Sequence, residues 1–373
     1  MVAYKFKQSS SDKVVIGNHG WLFYKGDTNP VEQSMGYWNL FTDEQLKTIA
    51  DNLMSSKKVL ENMGIEFILY IAPNKETIYK KEIPDYYELK SKTTCTDQLI
   101  KYLKENTDIR IVYPKAELLQ AKSEEPDRLL YHKLDTHWNY AGAYIGAISL
   151  AKELGLNMPL INDINLEPFY NSTGDLTGML NISIKNGDLD YNISGISNLK
   201  TEIEKYDFNT EFIYHTYGAD SRTLLVRRDS FSSALAPNIA TQFQNSVFIY
   251  NKYFNSQQIF DYDSDIFVFE TVEKFLGNLE QFRISLISCS EENPDNGMKD
   301  IIINPAIKNI GNIYISISKK SSDSNNYEKL QDIKLLEKPV KLQVPNSEKG
   351  EINVNIYNDR LKRKVIERTI IKY

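Results

Sequence analysis

The sequence predicts an α/β protein, a parallel sheet flanked by helices, followed by a C-terminal all-β, sandwich-like domain. Three observations carry this. Continuous apolar runs closed by turn residues alternate with helical periodicity through the first three quarters of the chain. After about Lys274 the pattern changes to short strands separated by polar turns. The length, 373 residues, exceeds what one core usually needs. The expected partition is 1–275 and 276–373, with an insertion at about 156–220.

The first helix is marked by Thr42 and Gln45, which fit a capping box, and by Leu46, Ile49, Ala50, Leu53, Leu60 and Met63 at helical spacing. Gly64 suits its left-handed end. The run Phe67 to Ala72, closed by Pro73, reads as a strand buried on both faces. A helix around Gln98 to Leu103 and a strand from Ile109 to Tyr113 follow. An amphipathic helix begins after Asn139, a plausible N-cap, and stops at Gly155. Later strands are expected at Thr223 to Val226, Val247 to Tyr250 and Ile266 to Phe269. The stretch from about Leu156 to Asp220 is rich in Asn, Gly, Ser and Asp and weakly periodic, so it is expected as a long loop insertion forming a lid or substrate wall.

In the C-terminal part, strands are expected at Phe282 to Ser288, Ile301 to Ile303, Ile313 to Ser318, Val340 to Val344, Ile352 to Tyr357 and Val365 to Ile371. Turns at Ser321 to Asn326 and Pro345 to Gly350 separate some of them. Such a domain can bind glycan or dock the protein on a larger assembly.

Composition narrows the function. A formal net charge of -6 gives no electrostatic reason to expect nucleic acid as partner. The two cysteines, Cys95 and Cys289, offer neither a disulfide framework nor metal-ligand spacing, and neither a metal nor a cofactor is expected. No apolar run spans a bilayer, and Met1 to Asp12 is too polar for a signal peptide. The chain is therefore cytosolic, or it has lost a leader or anchor.

Two constellations can carry chemistry. In Leu134-Asp135-Thr136-His137-Trp138-Asn139, a carboxylate two positions before an imidazole can fix its tautomer and leave the other nitrogen as a base. In Val226-Arg227-Arg228-Asp229-Ser230-Phe231-Ser232, a buried strand ends and a serine follows before a helix. That places its hydroxyl at the carboxyl edge of the sheet. Ser230 is either a helix cap or a nucleophile that needs a base within reach. Of the four histidines, His137 has the nearby carboxylate; His215 is the alternative base, His132 a neighbour in the same wall, and His19 a packing residue of an N-terminal turn.

These blocks resemble the alginate O-acetyltransferase (AlgX/AlgJ-type) family of SGNH-hydrolase-like, DHHW-motif proteins. Leu134 to Asn139 with Gly142-Ala143-Tyr144 is similar to its DHHW/DTHW block. Arg228 to Phe231 with Leu235, Pro237, Ala240 and Phe243 resembles its nucleophile block. Gly17 to Tyr24, Pro73 to Tyr79 and Gly174-Asp175-Leu176 resemble further segments, in the family's order, over roughly the first 275 residues. The position before Asp229 is Arg228 rather than the glycine of a GDS-type turn.

The resemblance implies an SGNH-like fold with Ser230 as nucleophile, His137 as general base and Asp135 as its orienter. The oxyanion would be held by the Ser230 N–H and a second donor, for which Asn74 and Asn251 are candidates. Trp138 and Phe231 either stack on a sugar or pack the catalytic loops. Arg227 and Arg228 either bind an acidic sugar's carboxylate or are simple strand-edge charges. The implied activity is O-acetyl transfer to an exported polysaccharide such as a biofilm exopolysaccharide. Acetylester hydrolysis and non-catalytic polysaccharide binding are the alternatives. The implied partners are the polysaccharide acceptor, an acetyl donor such as a membrane acetyltransferase, and a polysaccharide synthase complex. The implied location is extracytoplasmic or at the cell surface.

Overall fold

The computed structural model describes residues 9–171, 174–184, 187–292, 294, 297–307, 313–321, 326–336, 338–345, 347–357 and 365–373. Most of the Met1 to Asp12 stretch and of the turn expected at Ser321 to Asn326 lies outside the described residues, as does Asn346 in the second expected turn. Among the described residues no helix is long and apolar enough to cross a membrane.

Contacts divide the chain into two compact units. The first comprises Met1–Ala50, Phe67–Phe254 and Asp265–Glu280; the second comprises Asp51–Glu66, Asn255–Ser264 and Gln281–Tyr373. In the first, β1 (Val14–Ile16) and β2 (Leu22–Tyr24) form a small hairpin. The main sheet contains β3 (Glu66–Ala72) and β4 (Arg110–Val112). A separate antiparallel hairpin joins β5 (Asn165–Asn171) to β6 (Asp188–Ser194). The main sheet then gains β7 (Thr201–Tyr206), β8 (Glu211–Thr216), β9 (Asp220–Arg228), β10 (Phe243–Tyr250) and β11 (Ile266–Val272). Its strand order is β4-β3-β11-β9-β10-β8-β7. The pairs β3/β4, β9/β11 and β9/β10 are parallel, whereas β8 and β7 continue the sheet antiparallel.

The strands buried on both faces are the continuous apolar runs. Phe67 through Ala72 and all of Ile266–Val272 are buried, as parallel strands covered by helices must be. The helix Asp43–Asn62 starts at the expected reciprocal cap: Gln45 N–H donates to Thr42 Oγ1 at 3.2 Å and Thr42 N–H to Gln45 Oε1 at 3.0 Å. The helix Tyr140–Glu153 is capped by Asn139, whose side chain accepts from Gly142 N–H at 3.0 Å. It is buried on most of its circumference rather than on one stripe, because small residues let other segments approach closely. A Cβ on Gly142 would fall 2.1 Å from the Leu130 carbonyl oxygen.

The segment from Leu156 to Asp220 is not the long loop expected. It holds the β5–β6 hairpin, the strand β8 and the edge strand β7. β5 and β7 bury none of their residues, so there the sequence carries little apolar period to read.

In the second unit β12 (Ile287–Glu292), β13 (Met298–Pro305) and β16 (Val340–Pro345) form one antiparallel sheet. β14 (Tyr314–Ser321), β15 (Glu328–Leu335), β17 (Gly350–Tyr357) and β18 (Val365–Lys372) form another. Two expectations change here. The strand read from Phe282 begins at Ile287, and β15 was not expected because its sequence, EKLQDIKL, is mostly polar.

Candidate active site

The site lies at the carboxyl end of β9. There the chain leaves the sheet through Asp229 and enters the helix Ser232–Ile239, leaving Ser230 exposed on the turn between them. Buried carboxylates fix this turn. Asp229 accepts from Phe231 N–H at 2.8 Å and from Val272 N–H on β11 at 2.8 Å. Glu270, fully buried on β11, accepts from Asp229 N–H at 2.6 Å and from the Ser232 hydroxyl at 3.0 Å. Burial, then the charge of Asp229, pushes the Glu270 carboxyl well above its ordinary range. Phe231 is also tied from outside: Trp138 Nε1 donates to its carbonyl at 2.9 Å, and the two rings meet edge to face at 5.3 Å.

The segment before the helix Tyr140–Glu153 brings the other two groups. His137 Nε2 lies 2.8 Å from Ser230 Oγ. His137 Nδ1 lies 2.6 Å from Asp135 Oδ1, which also accepts from His137 N–H at 3.0 Å. With Nδ1–H donated to a carboxylate, Nε2 is the free lone pair facing the serine hydroxyl. The other oxygen of Asp135 accepts from Asp175 N–H at 2.9 Å. Gly174 makes that approach possible, since a Cβ there would sit 2.2 Å from the Leu134 carbonyl oxygen. Asp175 in turn accepts from Thr136 N–H at 2.9 Å and Thr136 Oγ1 at 2.6 Å.

A buried cation holds the same segment from below. Lys75 Nζ donates to the carbonyls of His132 at 3.2 Å, Lys133 at 3.3 Å and Asp135 at 2.6 Å, matching three donors to three acceptors. Asp188 on β6 accepts from the N–H groups of Lys133 at 2.7 Å and Leu134 at 2.5 Å.

The electrostatics follow from these contacts. Burial raises the Asp135 carboxyl, but the hydrogen bond and charge of His137, with the Asp175 and His137 N–H groups, overcome it and hold the acid well below the ordinary carboxylate range. Burial also opposes protonation of His137. The hydrogen bond and charge of Asp135 outweigh that, with help from Asp175 and against Lys274, so the imidazole is raised from 6.5.

The serine and imidazole open into a cavity of about 320 Å³, in the range of small-ligand sites. Phe208, Tyr140 and Asn171 form part of its wall, together with His132 and Asp190. Asp190 accepts from Tyr140 N–H at 2.9 Å and lies 3.6 Å from His132 Nε2.

Of the residues expected from sequence, Ser230, His137 and Asp135 meet in one relay. Trp138 and Phe231 line the cavity but are 1% and 2% exposed, so packing occupies nearly all their surface. Four expectations change, those for Asn74, Asn251, Arg228 and His19. Asn74 is buried and does not line the cavity; its Nδ2 donates to Gln33 Oε1 at 2.9 Å and its N–H to Glu273 Oε2 at 2.6 Å. Asn251 does not line the cavity, and its N–H is spent on the Arg228 carbonyl at 2.8 Å. Arg228 is buried rather than presented to substrate. Its guanidinium stacks on Phe212 at 4.0 Å and donates to the Phe208 carbonyl at 2.9 Å. His215 sits on β8, bonded to Glu204 at 2.6 Å and Asn245 at 2.9 Å, and does not line the serine cavity. His19 is exposed and bonds Glu82 at 2.8 Å instead of packing.

Sequence reasoning missed the roles of Lys75, Asp188, Asp190 and Glu270. Lys75 opens the short helix Lys75–Ile78 three residues beyond β3, and Glu270 follows four apolar residues inside β11; an ionisable residue in such a setting is the available signal.

A serine presented at a strand end of a parallel sheet, paired with an imidazole from an Asp-x-His segment, defines an SGNH-hydrolase-like protein. The family model for the AlgX SGNH hydrolase-like acetyltransferase domain matches residues 14–204, and the chain belongs to that family. Among solved structures it is similar in fold to PatB1 of Bacillus cereus, with 17% identity over 72% of this chain and 99% of that one and a TM-score of 0.52. A form of the same protein carrying a sulfonyl adduct gives 15% identity over 73% and 100%, with a TM-score of 0.54. A DHHW family protein from Eubacterium siraeum gives 15% identity over 73% and 98%, with a TM-score of 0.51. No curated protein matches the sequence significantly.

Proposed function

We propose that the chain is an O-acetyltransferase that carries an acetyl group on Ser230 and delivers it to hydroxyls of an exported polysaccharide. The observation that supports this most is the continuous relay from Asp135 through His137 to Ser230 Oγ, with contacts of 2.6 and 2.8 Å. A serine hydroxyl is a weak nucleophile without such a base.

His137 Nε2 takes the hydroxyl proton as Ser230 Oγ bonds to the acetyl carbonyl carbon. The oxyanion collapses, the bond from that carbon to the leaving oxygen breaks, and His137 returns the proton to the leaving group. A sugar hydroxyl then loses its proton to His137 and attacks the acetyl-serine. The new ester forms, the Oγ–carbon bond breaks, and the proton returns to Ser230. The Ser230 N–H, which has no partner among the described residues, supplies one oxyanion donor. We assign the second to the side-chain amide of Asn171, the one Asn or Gln among the described residues lining the cavity.

The partners in this reading are a polysaccharide acceptor and an external acetyl donor, and the location is outside the cytoplasm or at the cell surface. Incubation with an activated acetyl ester and soluble oligosaccharides tests it. Acetylated sugar above the level formed by Ser230→Ala protein is the expected result. Acetate as the sole product would make the chain an esterase, and no turnover would leave a polysaccharide-binding scaffold.

A further inference from the structure

A second cavity, of about 570 Å³, adjoins the serine cavity, and Tyr140 lines both. Three elements run from one to the other. On β5, Asn171 lines the first and Phe169, two residues earlier on the same face, lines the second. On β6, Asp190 lines the first and Tyr191 and Asn192 the second. On the helix Ser232–Ile239, Ser233 and Ala234 line the first and Asn238, one turn on, the second. The two cavities are thus one groove with Ser230 toward one end.

Its chemistry is specific. Aromatic rings (Tyr140, Phe169, Tyr191) stand among amides and hydroxyls such as Asn192, Asn238 and Thr241, and no Asp, Glu, Lys, Arg or His lines the second cavity among the described residues. The ionisable groups of the first are the carboxyls Asp135 and Asp190 with two histidines. The nearby arginines are committed elsewhere: Arg228 is buried, and Arg227 lies 4.1 Å over the Phe269 ring and donates to the Glu270 carbonyl. Among the described residues a uronate would meet carboxyls and no Lys or Arg in either cavity. Sugar rings without charge would find apolar faces to stack on and neutral polar groups for their hydroxyls.

We infer that this groove binds the acceptor and selects a neutral polysaccharide, of hexose or N-acetylhexosamine units, over a uronic-acid polymer. The inference rests on reading the serine cavity as the acetyl-transfer site. Binding to the Ser230→Ala protein tests it separately from turnover. Neutral glucose and N-acetylglucosamine oligomers and an oligouronate of matched length would be titrated calorimetrically. At least one neutral oligomer is expected to bind about tenfold or more tighter than the oligouronate, and Phe169→Ala to weaken it by about tenfold. The solvent-facing substitution Asn192→Lys, which leaves the core untouched, is expected to narrow the preference by strengthening oligouronate binding. Equal or tighter binding of the oligouronate by the unsubstituted groove overturns the inference, as does unchanged affinity in a folded Phe169→Ala protein or failure of every neutral oligomer to bind. Failure of the unsubstituted protein to transfer acetyl, with neutral binding retained, would instead sink the catalytic reading alone.

Discussion

Lys75 Nζ lies 2.6 Å from the carbonyl oxygen of Asp135, so a fully buried ammonium grips the backbone of the residue that orients the imidazole. Replacing it by methionine would leave the carbonyls of His132, Lys133 and Asp135 without this donor, at about 1–3 kcal/mol for each group left unsatisfied. Lys75→Met is expected to lower the melting temperature and to reduce ester turnover more than about tenfold through loss of orientation. Thermal denaturation and kcat/KM of the same preparation measure both.

The pH profile follows from the Asp135–His137 pair. The imidazole is raised from 6.5, and only its neutral form can take the serine proton. Turnover is therefore expected to fall toward acid pH with a midpoint above 6.5. Asp135→Asn removes the charge that raises it, so the midpoint moves down while the rate drops by up to about 10⁴-fold. The stability linkage has two signs. The Asp135 contribution is present above its ordinary 3.8 and is lost as pH falls through the depressed folded value. The His137 contribution is present below 6.5 and is lost as pH rises through the raised value.

Glu270 accepts from Asp229 N–H and the Ser232 hydroxyl, and burial pushes its carboxyl well above the ordinary range. Keeping it protonated costs stability as pH rises above its ordinary 4.5. Glu270→Gln keeps the shape and the acceptor without that cost. It is expected to be at least as stable as the parent at neutral pH, with the advantage vanishing below 4.5, and to retain turnover. Glu270→Ala strips both donors of their acceptor and is expected to lose about 1–3 kcal/mol or more together with turnover. Denaturant titrations at several pH values separate the two variants.

Asn171 is exposed on the cavity wall, so its removal should not disturb the core. Asn171→Ala is expected to lower kcat by about 10²–10³ with little change in KM, as loss of one oxyanion donor does. An unchanged kcat would exclude it from that role. Steady-state kinetics with an activated acetyl ester provide the measurement.

The legible parts of the sequence were those whose meaning is local. Phe67 to Ala72 and Ile266 to Phe269 read as strands because burial on both faces makes them continuously apolar. Asp135 and His137 could be paired because a single residue, Thr136, separates them, and Ser230 was marked because it follows a buried strand. β7 and β15 were hidden by the polar side chains that edge strands carry. Asn74 misled because a strand-end amide looks free in sequence, whereas Gln33 and Glu273 occupy it from distant segments. Lys75 and Glu270 had no local partner to reveal them; their contacts lie 60 and 41 residues away, at Asp135 and Asp229.

Mass spectrometry after brief incubation with an activated acetyl ester and an acid quench examines the nucleophile and its base together. One added acetyl group should map to the peptide containing Ser230, be absent from Ser230→Ala and be strongly diminished in His137→Ala. Acetyl release without any label on Ser230, or labelling of Ser230 at an undiminished rate in folded His137→Ala, would contradict the relay.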